Sequence, residues 1–146
     1  MSDVSERRVV VDTNVLVSGL LSGGTPGKII EAWMLGRFTP VISNELKREL
    51  NDVIQRPNIK HILGVKGPRN IRTALGALFN KALPVLPKTI DEIVFQDIDD
   101  HFLFELAVTA QANIIVTGDK ALLALKQIRG IEILNPAQFC RKLKIR

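Results

Sequence analysis

Short apolar runs alternate along this chain with longer segments in which apolar residues recur every three or four positions. The runs at 8–12 and 114–117 are rich in β-branched residues and apolar at their centres, as expected of strands covered on both faces of a parallel sheet. Two further strands are predicted at 38–42 and 131–134, and a very short edge strand at 84–87, where prolines disfavour a central position. Strands that alternate with helices predict an α/β fold: three layers, α/β/α, around a mostly parallel sheet of four or five strands.

The first helical region is predicted in two parts. Val15–Leu21 can form one or two turns, and the glycine- and proline-rich segment Ser22–Gly27 predicts a loop. Thr25 is then expected to cap a helix that has Pro26 at its first position and ends at Gly36.

Periodicity predicts further helices downstream. Ser43 is expected to cap a helix that Pro57 ends and that buries four apolar residues, Leu46, Leu50, Val53 and Ile54. One or two helices are predicted over 59–83, one over 99–112 with Phe102 on its apolar face, a short one over 120–126, and a closing helix capped by Asn135. Trp33 and the six Phe are expected in the core.

Length and composition describe a single folded domain over residues 1–146. Hydrophobic residues make up 46% and charged residues 24% of the chain, which argues against disorder and coiled coil.

No apolar run approaches the roughly 18 residues of a membrane span, and Met1–Arg8 is polar, so we expect a cytoplasmic protein with no membrane partner. Because Cys140 is the only cysteine, a thiolate-cluster metal site is excluded, and any metal would be held by oxygen.

The net charge of +5 is distributed unevenly. Val53–Lys88 carries seven Lys and Arg and no acid, whereas Asp91–Glu105 carries six acids and neither Lys nor Arg. An enzyme that grips phosphates with one surface and holds cations with another needs this separation, although two oppositely charged, solvated faces would give the same pattern. The candidate RNA-binding residues are Arg56, Lys60, Lys66, Arg69 and Arg72.

Acidic residues follow the predicted strands at the edge where ligands bind in parallel sheets. Asp12 ends the first strand, Glu45 follows the second, and Asp119 follows the strand at 114–117. Asp100 opens the helix that leads into that strand, although Asp97 and Asp99 compete with it. Carboxylates brought together repel unless a cation neutralises them, and Mg²⁺ or Mn²⁺ takes such oxygen ligands. Each acid taken singly could instead cap a helix or favour its dipole.

The same positions resemble the PIN-domain family of metal-dependent ribonucleases, which includes the VapC-type toxins of toxin–antitoxin pairs. The similar segments are VVVDTNVL at 9–16, SNEL at 43–46, DIDDHFL at 97–103 with Ala107, and IVTGD at 115–119. The resemblance implies that the catalytic, metal-binding acids are Asp12, Glu45, Asp100 and Asp119, with Asn14 and Thr117 as polar support. It also implies a parallel-sheet fold, Mg²⁺ or Mn²⁺ as cofactor, and RNA as substrate.

The function expected from the sequence is therefore a metal-dependent endoribonuclease, the toxin of a type II toxin–antitoxin pair. An antitoxin protein and a second copy in a homodimer are the partners that the resemblance implies. Three alternatives use the same residues: a PIN nuclease of RNA processing, a DNA-directed nuclease, and a non-catalytic metal-binding or regulatory α/β module.

Overall fold

The structure, a computed structural model, describes residues 7–66, 71–90 and 98–144. Its strands in that part of the chain are β1 (Arg8–Val11), β2 (Thr39–Ile42), β3 (Leu83–Pro84), β4 (Ile114–Val116), β5 (Gln127–Ile128) and β6 (Ile131–Leu134). Its helices there are α1 (Thr13–Ser22), α2 (Gly24–Met34), α3 (Asn44–Gln55), α4 (Pro57–Lys66), α5 (Ile71–Lys81), α6 (Ile98–Thr109), α7 (Lys120–Leu125) and α8 (Pro136–Lys142).

The strands form one sheet in the order β3-β2-β1-β4-β6-β5. Neighbours pair in parallel except β5 and β6, which are antiparallel. Val9 lies opposite Ile114 and Val11 opposite Val116, so β1 and β4 end side by side. The fold is an α/β domain with a mostly parallel sheet, consistent with the predicted three-layer α/β/α arrangement.

The core lies around the central strands because their side chains are apolar on both faces. All the residues of β4 and the three valines of β1 are buried. Helix α6 packs on β1, β2 and β4, while α7 and α8 pack on β6. No helix in residues 7–66, 71–90 or 98–144 is long and apolar enough to cross a membrane.

The sheet has six strands in the described ranges, more than the four or five predicted, and the additional strand is the two-residue β5. The edge strand β3 confirms the short strand expected near Pro84. Strand β5 was not predicted. It joins β6 through Arg129 and Gly130, whose φ values of 48° and 78° are those of a tight two-residue hairpin.

The predicted loop at Ser22–Gly27 is wrong. Only Gly23 separates α1 from α2, and the positive φ values of Gly23 and Gly24, 70° and 58°, let the chain change direction there. Thr25 and Pro26 consequently lie inside the first turn of α2, and Thr25 does not cap it. A Cβ on Gly19 would lie 2.8 Å from the Pro26 carbonyl oxygen, so glycine there allows the two helices to pack closely.

The exposure of Phe102 is a second correction. Its side chain on α6 is 44% exposed and not directed into the core. The neighbouring Leu103 and Leu106 are buried as predicted, and Phe102 lies at the border of their apolar stripe. Trp33, Phe38, Phe104 and Phe139 are fully buried, which confirms the prediction for those aromatic residues, whereas Phe95 lies outside the described residues.

Candidate active site

The ends of β1 and β4 join two predicted site residues directly. Asp12 and Thr117 each follow the last residue of their strand, and the Asp12 amide donates to the Val116 carbonyl at 2.9 Å. The Thr117 hydroxyl, which is fully buried, donates to Asp12 Oδ2 at 2.8 Å. The register of the sheet therefore fixes the position of the Asp12 carboxylate, and the buried hydroxyl orients it.

Asp119 is linked to the same hydroxyl. Its backbone amide donates to Thr117 Oγ1 at 3.0 Å. Its Oδ1 caps α7 by accepting from the amides of Ala121 at 2.8 Å and Leu122 at 3.1 Å. The helix-cap interpretation of Asp119 is thus correct, and it is compatible with metal binding because a carboxylate has a second oxygen. We call Asp12, Thr117 and Asp119 the strand-end cluster.

The electrostatics of the strand-end cluster favour a cation. Burial raises the pKa of the Asp12 carboxyl above its ordinary value of 3.8, and the negative charge of Asp119 raises it further. Hydrogen bonds from the Thr117 hydroxyl and from the backbone amides of Asn14 and Thr13 act in the opposite direction. A nearby positive charge would relieve both the burial and the repulsion.

Two residues beside Asp12 differ from the sequence prediction. Asn14, predicted as polar support, has an exposed side chain, and it reaches Asp12 through its backbone amide. Thr13 was missed: its fully buried hydroxyl has no hydrogen-bond partner among the described residues. The only signal in the sequence was a hydroxyl residue directly after the acid that ends a buried strand.

Neither Glu45 nor Asp100 completes a three-acid metal site with Asp12 and Asp119 among the described residues. Glu45 is exposed in the first turn of α3, which Ser43 caps by accepting from the Leu46 amide at 3.1 Å. Asp100 is partly buried near the start of α6. Within the described ranges, no three His, Cys, Asp or Glu side chains are close enough to hold a metal. Asp97 and the side chain of Asp99 lie outside the described residues, so the choice of Asp100 stays a prediction.

The donor atoms that are together nevertheless fit Mg²⁺ or Mn²⁺. Asp12 and Asp119 offer carboxylate oxygens, which hard divalent cations prefer. Mg²⁺ in particular is commonly held by one or two carboxylates, with waters and substrate phosphates completing its shell. A pair of acids is therefore a sufficient protein contribution.

A groove runs between α3 and α6 beside the strand-end cluster. It contains an open cavity of about 400 Å³ whose polar lining includes three acids, Glu45, Glu49 and Asp52, and two arginines, Arg48 and Arg56, with Phe102 on the α6 side. A smaller cavity of about 140 Å³ adjoins it and shares Ser43, Glu45 and Phe102. We call these two cavities together the α3–α6 groove.

The predicted RNA-binding residues are distributed along three elements. Arg56, Lys60 and Arg72 are exposed, and Arg56 lines the α3–α6 groove. Lys66 ends α4, but its side chain and all of Arg69 lie outside the described residues. Their role in RNA binding stays a prediction.

A parallel sheet that brings two carboxylates together at the ends of adjacent central strands defines the class: an α/β domain with an acidic, cation-favouring edge. Comparison with known families makes this specific. A family model described as PIN domain matches residues 8–121, and the chain belongs to the PIN-domain family, whose members are generally metal-dependent nucleases.

Comparison with solved structures agrees on the fold. The crystal structure of PAE2754 from Pyrobaculum aerophilum is similar to this chain with a TM-score of 0.58 and 14% sequence identity. The similarity covers 97% of this chain and 92% of that one. A search of curated proteins found no significant match.

Proposed function

We propose that the protein is a metal-dependent endoribonuclease that hydrolyses RNA phosphodiester bonds. The observation that carries this proposal is the strand-end cluster, in which one buried hydroxyl ties Asp12 and Asp119 together at the carboxyl edge of the sheet. Membership of a family of metal-dependent nucleases gives this acidic pair its chemical context.

Asp12 and Asp119 would hold the Mg²⁺ or Mn²⁺, with Asp100 and Glu45 as the further acids. When bound, the ion supplies Lewis-acid activation of the phosphodiester and of the attacking water. Thr117 keeps Asp12 Oδ2 oriented by donating its hydroxyl proton, and the Asn14 amide supports the same carboxylate. We assign the central role to Asp12, because its carboxyl is desolvated by burial and the Thr117 hydroxyl donates to it.

RNA is the proposed substrate because of the charge of the surrounding chain. The net charge of +5 and the exposed side chains of Arg56, Lys60 and Arg72 favour a polyanion. Such contacts position a phosphate backbone without reading its sequence. The choice of RNA over DNA depends on the resemblance to PIN-domain ribonucleases.

The proposal is tested by incubating labelled single-stranded RNA with wild type and Asp12→Asn in Mg²⁺, Mn²⁺ or EDTA, with a DNA of the same sequence in parallel. We expect RNA cleavage that needs the metal and is lost in the variant. Cleavage that persists in EDTA would refute the metal mechanism, and preferential cutting of the DNA would refute the assigned substrate.

We further propose that the protein is the toxin of a type II toxin–antitoxin pair, with an antitoxin and a second copy of this chain as its partners. The support is the resemblance of the four acidic segments to VapC-type toxins. Induced expression of wild type should arrest growth while equal amounts of Asp12→Asn do not. Normal growth with wild type that cleaves RNA in vitro would favour a role in RNA processing. Sedimentation of the purified chain tests the homodimer.

A further inference from the structure

We infer that the α3–α6 groove binds one unstacked base of a single-stranded RNA against the ring of Phe102. This inference rests on the proposed ribonuclease function and adds to it a residue that selects an unpaired substrate. Three features of the groove carry it: an exposed aromatic ring, a wall that is already held in place, and a position between the acidic edge and two arginines.

Phe102 has the exposure that a stacking surface requires. Phe102 is 44% exposed, whereas the other Phe and Trp side chains in the described part of the chain are buried or partly buried. It lines both cavities of the groove, so its ring borders this open, solvent-accessible space. Proteins bind single-stranded nucleic acids by stacking bases on such rings, and the stacking tolerates any base because every base has a π-face.

The opposite wall of the smaller cavity is fixed by hydrogen bonds to α6. Pro87 and Thr89 line this cavity, and the backbone on either side of Thr89 is anchored. The Lys88 amide donates to Thr109 Oγ1 at 2.9 Å, and the Ile90 amide donates to Glu105 Oε2 at 2.7 Å. The cavity therefore does not have to be built when a base enters, which lowers the entropic cost of binding.

The groove is placed where a base next to the reacting phosphate would lie. Ser43, which lines both cavities, follows β2 and comes opposite Asp12 when the β1–β2 register is extended. Farther along α3, the lining of the larger cavity includes Arg48 and Arg56, interspersed with the acidic Glu49 and Asp52. A strand with one base on Phe102 would thus have the acidic edge on one side and guanidinium donors for a neighbouring phosphate on the other.

The test compares binding of two single strands of equal length in EDTA, one of mixed-sequence RNA and one an abasic ribose-phosphate chain, by fluorescence anisotropy. Stacking on an aromatic ring contributes enough for Phe102→Leu to weaken binding of the base-bearing strand by about 5- to 150-fold. The abasic strand should lose nothing, Phe102→Trp should retain binding, and duplex RNA should bind wild type and Phe102→Leu equally. Leu125→Ala is the matched control, because Leu125 on α7 is also 44% exposed.

Equal losses for the base-bearing and abasic strands would overturn the inference, and so would no loss for either. Unfolding curves check that Phe102→Leu is folded, and the Trp variant provides the same test if it is not. Because this readout needs no cleavage, it is separate from the proposed function. If RNA is cleaved in a metal-dependent way but Phe102→Leu binds RNA like wild type, the ribonuclease proposal stands and the base site is refuted. If Phe102→Leu loses base-selective binding but wild type does not cleave RNA, the base site stands and the ribonuclease proposal is refuted.

Discussion

Two neighbouring parts of one sheet edge position their acidic residues by different means. At the ends of β1 and β4, Asp12 and Asp119 share the Thr117 hydroxyl, and the repulsion between them is part of what raises the pKa of Asp12. At the end of β2, Glu45 is exposed on a helical turn and lines a groove with Phe102. The first part is buried and hydrogen-bonded, and the second is open and partly apolar.

The difference indicates a division of labour. Strand register fixes Asp12, which directly follows β1, and Thr117, which directly follows β4, and the Thr117 hydroxyl in turn holds the backbone of Asp119, so the two acids are held near each other despite their charges. An acid in the first turn of a helix takes its position from how that helix packs, and Glu45 is directed toward the groove instead. We therefore assign metal chemistry chiefly to the strand-end cluster and substrate binding to the α3–α6 groove.

The largest expected effect is that of Asp12→Asn on cleavage. A metal ion contributes several kcal/mol to the transition state, so its loss should lower the single-turnover rate by about 1,000-fold or more. Glu31→Gln on α2 is the matched control, because Glu31 is an exposed acid in a helix. Equal rates for Asp12→Asn and Glu31→Gln would show that Asp12 has no special role in cleavage and would contradict the assignment of metal chemistry to the strand-end cluster.

Thr117→Val should have the next largest effect. The change keeps the shape of the buried side chain but removes the hydroxyl that donates to Asp12 and accepts from the Asp119 amide. Groups that orient a metal ligand typically contribute 10- to 100-fold to metal affinity or activity, and we expect the Mn²⁺ concentration needed for cleavage to rise by about that factor. Thr117→Ser, which retains the hydroxyl, should stay near wild type; a loss as large as that of Val would point to packing instead.

Arg56→Gln should weaken RNA binding only a few-fold, since a groove arginine supplies one phosphate contact. The dependence of log K on log salt should flatten by about 0.7 for single-stranded RNA. Arg141→Gln, an exposed arginine on α8, serves as the control and should leave the slope unchanged. A slope that responds to Arg141 and not to Arg56 would place the RNA path away from the α3–α6 groove.

The smallest effect is on thermal stability without metal. Because the pKa of Asp12 is raised in the folded protein, the folded chain holds this proton more tightly than the unfolded chain. Stability is lost as the pH rises from near 3.8 through the folded pKa. In EDTA, Asp12→Asn should melt above wild type at pH 7, and the difference should shrink as the pH falls toward 4. If the difference in melting temperature did not change with pH, the stability of the variant would not be explained by the charge of Asp12.

Much of the fold could be predicted because its central strands are continuous apolar runs. Ile131–Leu134 and the Ser43 and Asn135 caps follow directly from local patterns, and the structure confirms them. The wrong or missing predictions lie in segments where the hydrophobic pattern is weak. Strand β5 is too short to show a period, and the loop predicted at Ser22–Gly27 failed because two consecutive glycines with positive φ, Gly23 and Gly24, are enough to join two helices.

The candidate site could be predicted only as far as it depends on strand ends. Asp12, Thr117 and Asp119 come together because the register of β1 and β4 brings them together. The positions of Glu45 and Phe102 depend on where the tertiary structure places α3 and α6 on either side of the groove, which spacing alone does not give. Phe102 has the right period for the core, and only the tertiary structure shows that it is exposed.

The most direct test of the account is Mn²⁺ binding, because it needs no knowledge of the RNA target. Mn²⁺ is titrated into wild type, Asp12→Asn and Glu31→Gln, and the free ion is followed by electron paramagnetic resonance. The account predicts saturable binding to wild type and Glu31→Gln that is lost or severely weakened in Asp12→Asn. Equal Mn²⁺ affinity in all three proteins would show that the strand-end cluster is not a metal site and would contradict its central claim.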